Sequence, residues 1–375
     1  MISDSLGFIL LIFALSALLA IWFSKNRTNS ANRNKTRFAD GLRAIVVGDR
    51  MRAMRILRET AIEDTSNAEA FILLGDLVRE EIGPRKALQI HHSVADRKTL
   101  TPAESFRVSK SLALDYSKIG DHEMAADILA RALKSNQDNW TKELLIEEYE
   151  KLGRWPEAFD LLSSFKNAAL QHKGQLALYK VMMGNSAAEN EKYHNARILF
   201  KDAIRIDEEC PSAYLRIGDA YYAEGRIADA IEWWKKFCAK FPKIAWTSFE
   251  RLERAAYDLS DFGSMITFYS KFISANTEDF RAREALSDLF VRMGRLDDAI
   301  TTLQGEFEAP IELEIKLLAL IQKRDNIAGE IGELIGTICL RACGKYKYTC
   351  SSCGTKINDP MWYCFECGAW NSFGI

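Results

Sequence analysis

Four of the eight cysteines in this 375-residue chain fall within its last 28 positions, as Cys350-Ser-Ser-Cys353 and Cys364-Phe-Glu-Cys367. A Cys-x2-Cys hook is short enough for both sulfurs to face one ion, and two hooks supply the four thiolates of a closed tetrahedral site for zinc or iron. Gly354 and Gly368 each follow the second cysteine of a hook, where freedom to take positive φ lets backbone N–H groups turn towards sulfur. Cys350, Cys353, Cys364 and Cys367 are therefore the expected ligands of one metal ion. A thioredoxin-type dithiol and two disulfides are the competing uses. The first wants a single Cys-x-x-Cys at a helix start in an αβ setting, which neither hook has, and a disulfide framework would be spread along the chain. The segment from Tyr348 to Ile375 is too short to hold a core without a cross-link, so metal binding should fold it. Tyr348, Trp362, Tyr363, Phe365, Trp370 and Phe373 are expected to shield the ion and to offer a docking face.

Little else reads as chemistry. His91, His92, His122, His172 and His194 fall in helical patterns without a recognisable nucleophile or P-loop, and Glu147, Glu148 and Glu150 read as a solvated helix face. No enzymatic activity is expected. Fifty Lys plus Arg against 52 Asp plus Glu leave a net charge of −2, which gives no whole-chain footprint for nucleic acid. With 27% charged and 48% hydrophobic residues, the chain is neither disordered nor polytopic, and seven prolines and 21 glycines favour helices over sheet.

The elements in front of the cysteines repeat. A glycine followed five residues later by alanine recurs at Gly48/Ala53, Gly120/Ala125, Gly153/Ala158, Gly225/Ala230 and Gly294/Ala299. Filling the frame with Ala87, Ala196 and Ile266 makes eight units spaced 33 to 38 residues apart, the period of tetratricopeptide repeats. The unit Tyr214-x2-Ile217-Gly218-x2-Tyr221, with Ala230-x3-Trp234 and Pro242, resembles the signature of that repeat family almost place for place. Gly41, Gly75, Gly184 and Gly218 on first helices should let second helices approach closely. Leu57, Leu129, Leu162, Phe200, Trp234, Tyr269 and Leu303 should fill the seam. Stacked helix pairs of this kind form a superhelix whose inner face suits an extended peptide or a protein, with Asp76, Arg79, Asp219 and Tyr222 as polar candidates there or as solvated surface. Cys210 and Cys238 read as repeat filler, and Cys339 and Cys343, four apart on a helix, as structurally buried, with competition for the metal as the alternative.

At the other end, Leu6 to Phe23 is an uncharged apolar run of 18 residues, ~27 Å as a helix and long enough to span a bilayer. It lacks the basic front and small-residue cleavage site of a secretory signal, and Lys25, Arg27, Arg33, Lys35 and Arg37 behind it place the following chain on the cytoplasmic side. The expected fold is all-α: a tetratricopeptide-repeat solenoid with an amino-terminal transmembrane helix and a small four-cysteine metal knuckle. The expected segments are an anchor at 1–24, a tether at 25–36, a repeat array at 37–325, a final helix at 326–347 and a metal-binding domain at 348–375. Gly329, Gly332 and Gly336 fall near one face of that final helix, which is expected to pack against the knuckle.

An anchor, a repeat array and a terminal Cys-x2-Cys-x10-Cys-x2-Cys-Gly-x-Trp module, in that order, resemble the lipopolysaccharide assembly protein B family over essentially the full length. The match is carried by Leu6–Phe23, the repeats, Cys350, Cys353, Cys364 and Cys367 with Trp362 and Trp370. The resemblance implies a rubredoxin-like terminal domain, with iron as the ion and zinc as the alternative. It also implies a single-pass bacterial inner-membrane adaptor that presents the committed-step lipid A deacetylase to the FtsH protease. Its partners would be those proteins and other lipopolysaccharide assembly proteins, and the family leaves room for a homo-oligomer. A membrane-anchored rubredoxin-like electron carrier and a generic protein-assembly scaffold are the alternative readings.

Overall fold

The computed structural model describes residues 33–304, 310–325, 348–357 and 361–374. Among them no helix is long and apolar enough to cross a membrane. The Leu6–Phe23 run, most of the tether, the final helix with its glycines, and Cys339 and Cys343 lie outside the described residues.

Two compact units divide the chain between Arg154 and Trp155. The first contains α1 (33–47), α2 (Arg50–Glu63), α3 (Ala68–Glu81), α4 (Pro84–Ala95), α5 (Pro102–Ile119), α6 (His122–Ser135) and α7 (Asn139–Lys151). The second runs through α8 (Trp155–Ser163), α9 (Ala168–Gln171), α10 (Lys173–Glu189), α11 (Tyr193–Ile206), α12 (Pro211–Ala223), α13 (Ile227–Lys240) and a 3-10 turn at Pro242–Ser248. It continues with α14 (Phe249–Leu259), α15 (Phe262–Ala275), α16 (Phe280–Arg292), α17 (Leu296–Leu303) and α18 (Ile311–Asp325), and ends in the knuckle. Helix starts are written locally. Asp49, Asn67, Asp121, Asp138, Asp261 and Asp279 each accept from the N–H three residues on, and Thr101 with Glu104 closes a capping box.

The glycine-to-alanine spacing has a backbone cause. Gly48, Gly120, Gly153, Gly225 and Gly294 hold φ between 67° and 92°, a left-handed turn that ends one helix so that the next can fold back. Five residues later the anchor alanine is fully buried in every case. Where glycine is missing, Glu191 and Ser260 take the left-handed conformation, with φ of 58° and 53°. Counting five from Ser260 reaches Met265, and Met265, not Ile266, is the fully buried residue. The expected anchor was one place late because this repeat carries neither the marker glycine nor the small anchor that set the frame elsewhere.

Four residues after the anchor comes the seam filler. Leu57, Leu129, Leu162, Phe200, Trp234, Tyr269 and Leu303 are all buried. The rings of Phe200 and Trp234 lie where a Cβ on Gly184 or Gly218 would have to be, so these first-helix glycines are required by close approach. The Trp234 indole N–H donates to Leu215 O at 3.2 Å. In the unit anchored at Ala87 the same place belongs to His91, which packs on Gly75. His91 is fully buried, unlike a surface histidine: Nδ1 lies 2.5 Å from Asp115 Oδ2 and Nε2 lies 3.1 Å from Ile72 O. Glu148 departs from the solvated reading as well, buried at 2% exposure between Ser117, His122 and Lys151.

Within each unit, successive first helices are tied by ion pairs: Arg79 to Asp115 at 3.0 Å, Arg251 to Asp219 at 2.7 Å, Arg292 to Glu253 at 3.3 Å and Lys316 to Asp288 at 2.7 Å. Asp76 holds Arg79 at 2.6 Å, and the Tyr222 hydroxyl donates to Asp258 at 2.5 Å. Asp76, Arg79, Asp219 and Tyr222 are thus rungs between helices.

Two measurements probe this packing. Gly218→Ala should destabilise the second unit by about 1–3 kcal/mol through overpacking on Trp234. Gly263→Ala, where a Cβ meets nothing within 4 Å, should be neutral or stabilising by up to about 1 kcal/mol; urea titration of both variants compares them, and equal effects would refute the close-approach argument. Burial pushes the Glu253 carboxyl up to about 7, only partly offset by Arg292. Since the folded chain then holds this proton more tightly than the unfolded one, the second unit should lose stability as pH rises from 4.5 to about 7. Glu253→Gln should flatten that slope in thermal melts taken across the window.

Candidate metal centre

The knuckle is a three-stranded antiparallel sheet in the order β2-β1-β3, with β1 at Tyr348–Cys350, β2 at Lys356–Ile357 and β3 at Phe373–Gly374. Tyr348 pairs with Ile357, and Cys350 with Phe373. The two hooks repeat one backbone motif. Gly354 N–H donates to Cys350 O at 2.9 Å and Gly368 N–H to Cys364 O at 2.7 Å. Cys350 N–H donates to Thr355 O at 2.8 Å and Cys364 N–H to Ala369 O at 2.9 Å. Both glycines sit at positive φ, 76° and 71°, where a side chain would be strained.

This turns all four sulfurs to one point. They lie within 4.8 Å of one another, with Cys350–Cys367 and Cys353–Cys364 each at 3.7 Å. A disulfide needs about 2.05 Å. Metal–sulfur bonds of about 2.3 Å in a tetrahedron put the sulfurs about 3.8 Å apart, so the spacing fits a single ion.

The surroundings favour thiolate. Ser372 Oγ lies 3.1 Å from Cys350 Sγ, and this contact, with the N–H groups of Cys353 and Ser352, pulls that thiol down to about 6. Thr355, through its hydroxyl at 3.0 Å and its N–H, lowers Cys353. Cys367 receives the Ala369 N–H, which lowers it, yet the crowding of its three sulfur neighbours raises it to about 12. Four negative sulfurs this close require a cation between them. Cys350 and Cys364 are buried whereas Cys353 and Cys367 are exposed, so one side of the cage faces solvent.

The knuckle's aromatic residues do not all serve the ion. Phe365 is 63% exposed. Tyr363 and Trp370, paired by a β-bridge with ring centroids 4.6 Å apart, face the repeats instead. Trp155 meets Tyr363 edge-on at 5.5 Å and Trp370 at 6.2 Å, and Tyr179 meets Trp370 at 5.9 Å. On another side Trp246 stacks on Tyr348 at 5.2 Å, with the Arg281 guanidinium 4.5 Å from the Trp246 ring centre. Trp362 packs into two apolar clusters of the repeats. The knuckle is therefore seated among the helices of the second unit. Trp155, Tyr179, Trp246 and Arg281, which form the receiving surface, escaped sequence reasoning. The one trace was Trp155, larger than Ile227 and Leu296 at the matching place in their repeats.

Two stretches match known domain families: residues 181–243 the tetratricopeptide repeat and residues 348–374 the rubredoxin metal binding domain. Among curated relatives, lipopolysaccharide assembly protein B of Escherichia coli strain K12 is 19% identical over 358 residues, covering 93% of this chain and 91% of that protein. The protein of the same name from Haemophilus influenzae is 20% identical over 321 residues, covering 84% and 81%. A solved structure, that of YrrB, described as a tetratricopeptide-repeat protein with an unusual peptide-binding site, is 17% identical, covers 47% of this chain and 88% of its own, and has a TM-score of 0.35.

Trp155→Ala should weaken the seating of the knuckle by about 3 kcal/mol. Amide exchange over 361–374 should then accelerate while metal content stays at one ion per chain. Unchanged exchange there would show that the ring contacts do not hold the knuckle.

Proposed function

We propose that this chain, a tetratricopeptide-repeat protein of the lipopolysaccharide assembly protein B family with a carboxy-terminal metal-binding domain, is a non-enzymatic adaptor that regulates lipopolysaccharide synthesis at the bacterial inner membrane. The observation that carries the reading is the seating of a four-sulfur knuckle in a helical-repeat unit, in a chain that aligns with the Escherichia coli relative over 93% of its length. Leu6–Phe23 anchors the chain as a single pass, with the bulk in the cytoplasm. The repeats hold the clients, a committed-step deacetylase and the FtsH protease. Confinement to one membrane surface raises their effective concentration, which needs no catalytic residue.

Cys350, Cys353, Cys364 and Cys367 hold one ion, iron by family resemblance and zinc otherwise. When bound, the ion supplies the cross-link that so short a segment needs in order to fold. The chain's own part is to favour thiolate at Cys350 and Cys353 through Ser372, Thr355 and the hook N–H groups, and to lay Tyr363 and Trp370 against Trp155 and Tyr179.

Elemental analysis of the full chain should find one equivalent of iron or zinc. Replacing Cys364→Ser together with Cys367→Ser should remove it, unfold the knuckle and abolish recovery of deacetylase and protease from native membranes, with the chain still in the membrane fraction. Full regulation of lipopolysaccharide output by that variant would refute the adaptor mechanism as framed. A red, reversibly reducible protein that exchanges electrons with a redox partner would favour the carrier reading.

A further inference from the structure

The two most exposed large hydrophobic residues described, Val46 at 87% and Val47 at 82%, sit side by side where α1 turns into α2. Met51 and Ile62, each more than two-thirds exposed, continue from that turn along α2. The turn is stiff: Gly48 takes φ 84° and Asp49 caps the next helix through the Arg52 N–H. Met51, Arg55, Arg58 and Ile62 follow at i, i+4, i+7 and i+11, one stripe of the helix.

Charge on this hairpin is sorted. Arg37, Arg43 and Arg50 are paired with Glu63, Asp40 and the Glu80/Glu81 carboxylates. Arg52, Arg55 and Arg58 are exposed and have no ion pair among the described residues. A repeat at the end of an array ordinarily needs a polar outer face for solubility. This one offers aliphatic side chains flanking unneutralised guanidinium groups, the composition of a surface that lies in a lipid headgroup layer.

Position in the chain identifies the occupant. The apolar run ends at Phe23, ten residues before Arg33, and ten residues reach about 35 Å at most. The start of α1 therefore stays within about 35 Å of the surface into which that run inserts, which keeps that surface within reach of the hairpin. A second copy would be a poor cover, because a two-fold contact would set arginine against arginine.

We propose that the α1–α2 hairpin docks on an anionic bilayer surface, Val46 and Val47 entering the headgroup layer and Arg52, Arg55 and Arg58 meeting lipid phosphates. The inference rests on Leu6–Phe23 being a membrane anchor. It adds a second, orientation-fixing contact, so that the first repeats lie against the lipid instead of hanging from a loose tether.

The test uses the full chain carrying Val46→p-benzoylphenylalanine, in nanodiscs of phosphatidylcholine alone or with phosphatidylglycerol. Irradiation should yield lipid adducts in the anionic discs. Each of Arg55→Glu and Arg58→Glu should weaken docking by at least about fivefold, the worth of one cation near a charged bilayer, and pure phosphatidylcholine, which takes the anionic partner from all three arginines, should give a larger loss. Leu170→p-benzoylphenylalanine, 81% exposed in the second unit, supplies the background. Adducts no more frequent at 46 than at 170, or cross-linking of 46 to a second copy, would overturn the proposal. Alkaline carbonate separates the two claims. A chain that resists extraction but gives no lipid adduct keeps its anchor and loses the docking face; a chain that is extracted loses the anchor and this inference with it.

Discussion

The contact of Tyr363 and Trp370 with Trp155 and Tyr179 is the joint on which the second unit depends. A segment whose strands are three, two and two residues long cannot enclose a core. It therefore needs two supports, a cross-link inside and a wall outside. The sulfur cage supplies the first. The wall comes from repeat helices whose buried aromatic residues, Trp155 and Tyr179, are in ring contact with the knuckle, so each side contributes to the other's core. This mutual burial explains why the knuckle groups with the second unit as one compact body.

Elsewhere the repeats are held by a more local logic. A left-handed residue ends one helix, a small or flexible anchor five places on admits close packing, and a large side chain four places further fills the gap. On the first helices, carboxylates and guanidinium groups that would be natural hooks for a client instead reach the next repeat. Such half-buried pairs contribute modestly to stability but fix register, since a slip would strand a buried charge. Client recognition must then use side chains outside these rungs, which removes Asp76, Arg79, Asp219 and Tyr222 from the simplest picture of a polar groove.

Legibility in the sequence followed the range of the interaction. The hooks could be read because two sulfurs and one glycine act within five residues of one another in each half. The repeat frame could be read because glycine and alanine are demanded by backbone sign and helix separation. It slipped by one residue at Met265, where both markers are replaced. Glu148 was misjudged because polarity suggests solvent, while its partners Ser117 and His122 lie 31 and 26 residues away, and the burial of His91 against Asp115, 24 residues on, left no local signal either. The receiving surface for the knuckle was unreadable for the same reason: Trp155 meets Trp370 across more than two hundred residues, and no spacing rule links them.

Choosing a metal over a disulfide as the internal cross-link has a thermodynamic consequence. A ligand that binds only the folded form stabilises it by an amount that grows with the logarithm of its concentration. If the four thiolates hold the ion as proposed, knuckle folding and its seating on Trp155 and Tyr179 form one linked equilibrium set by metal supply. Two of the four sulfurs, Cys353 and Cys367, are exposed, so exchange or oxidation can begin from the solvent side without opening the repeats. The buried pair, Cys350 in β1 and Cys364, would be released last. Stability of the joint is thereby tied to a condition outside the chain, and through Trp155 and Tyr179 so is the part of the second unit that the knuckle covers.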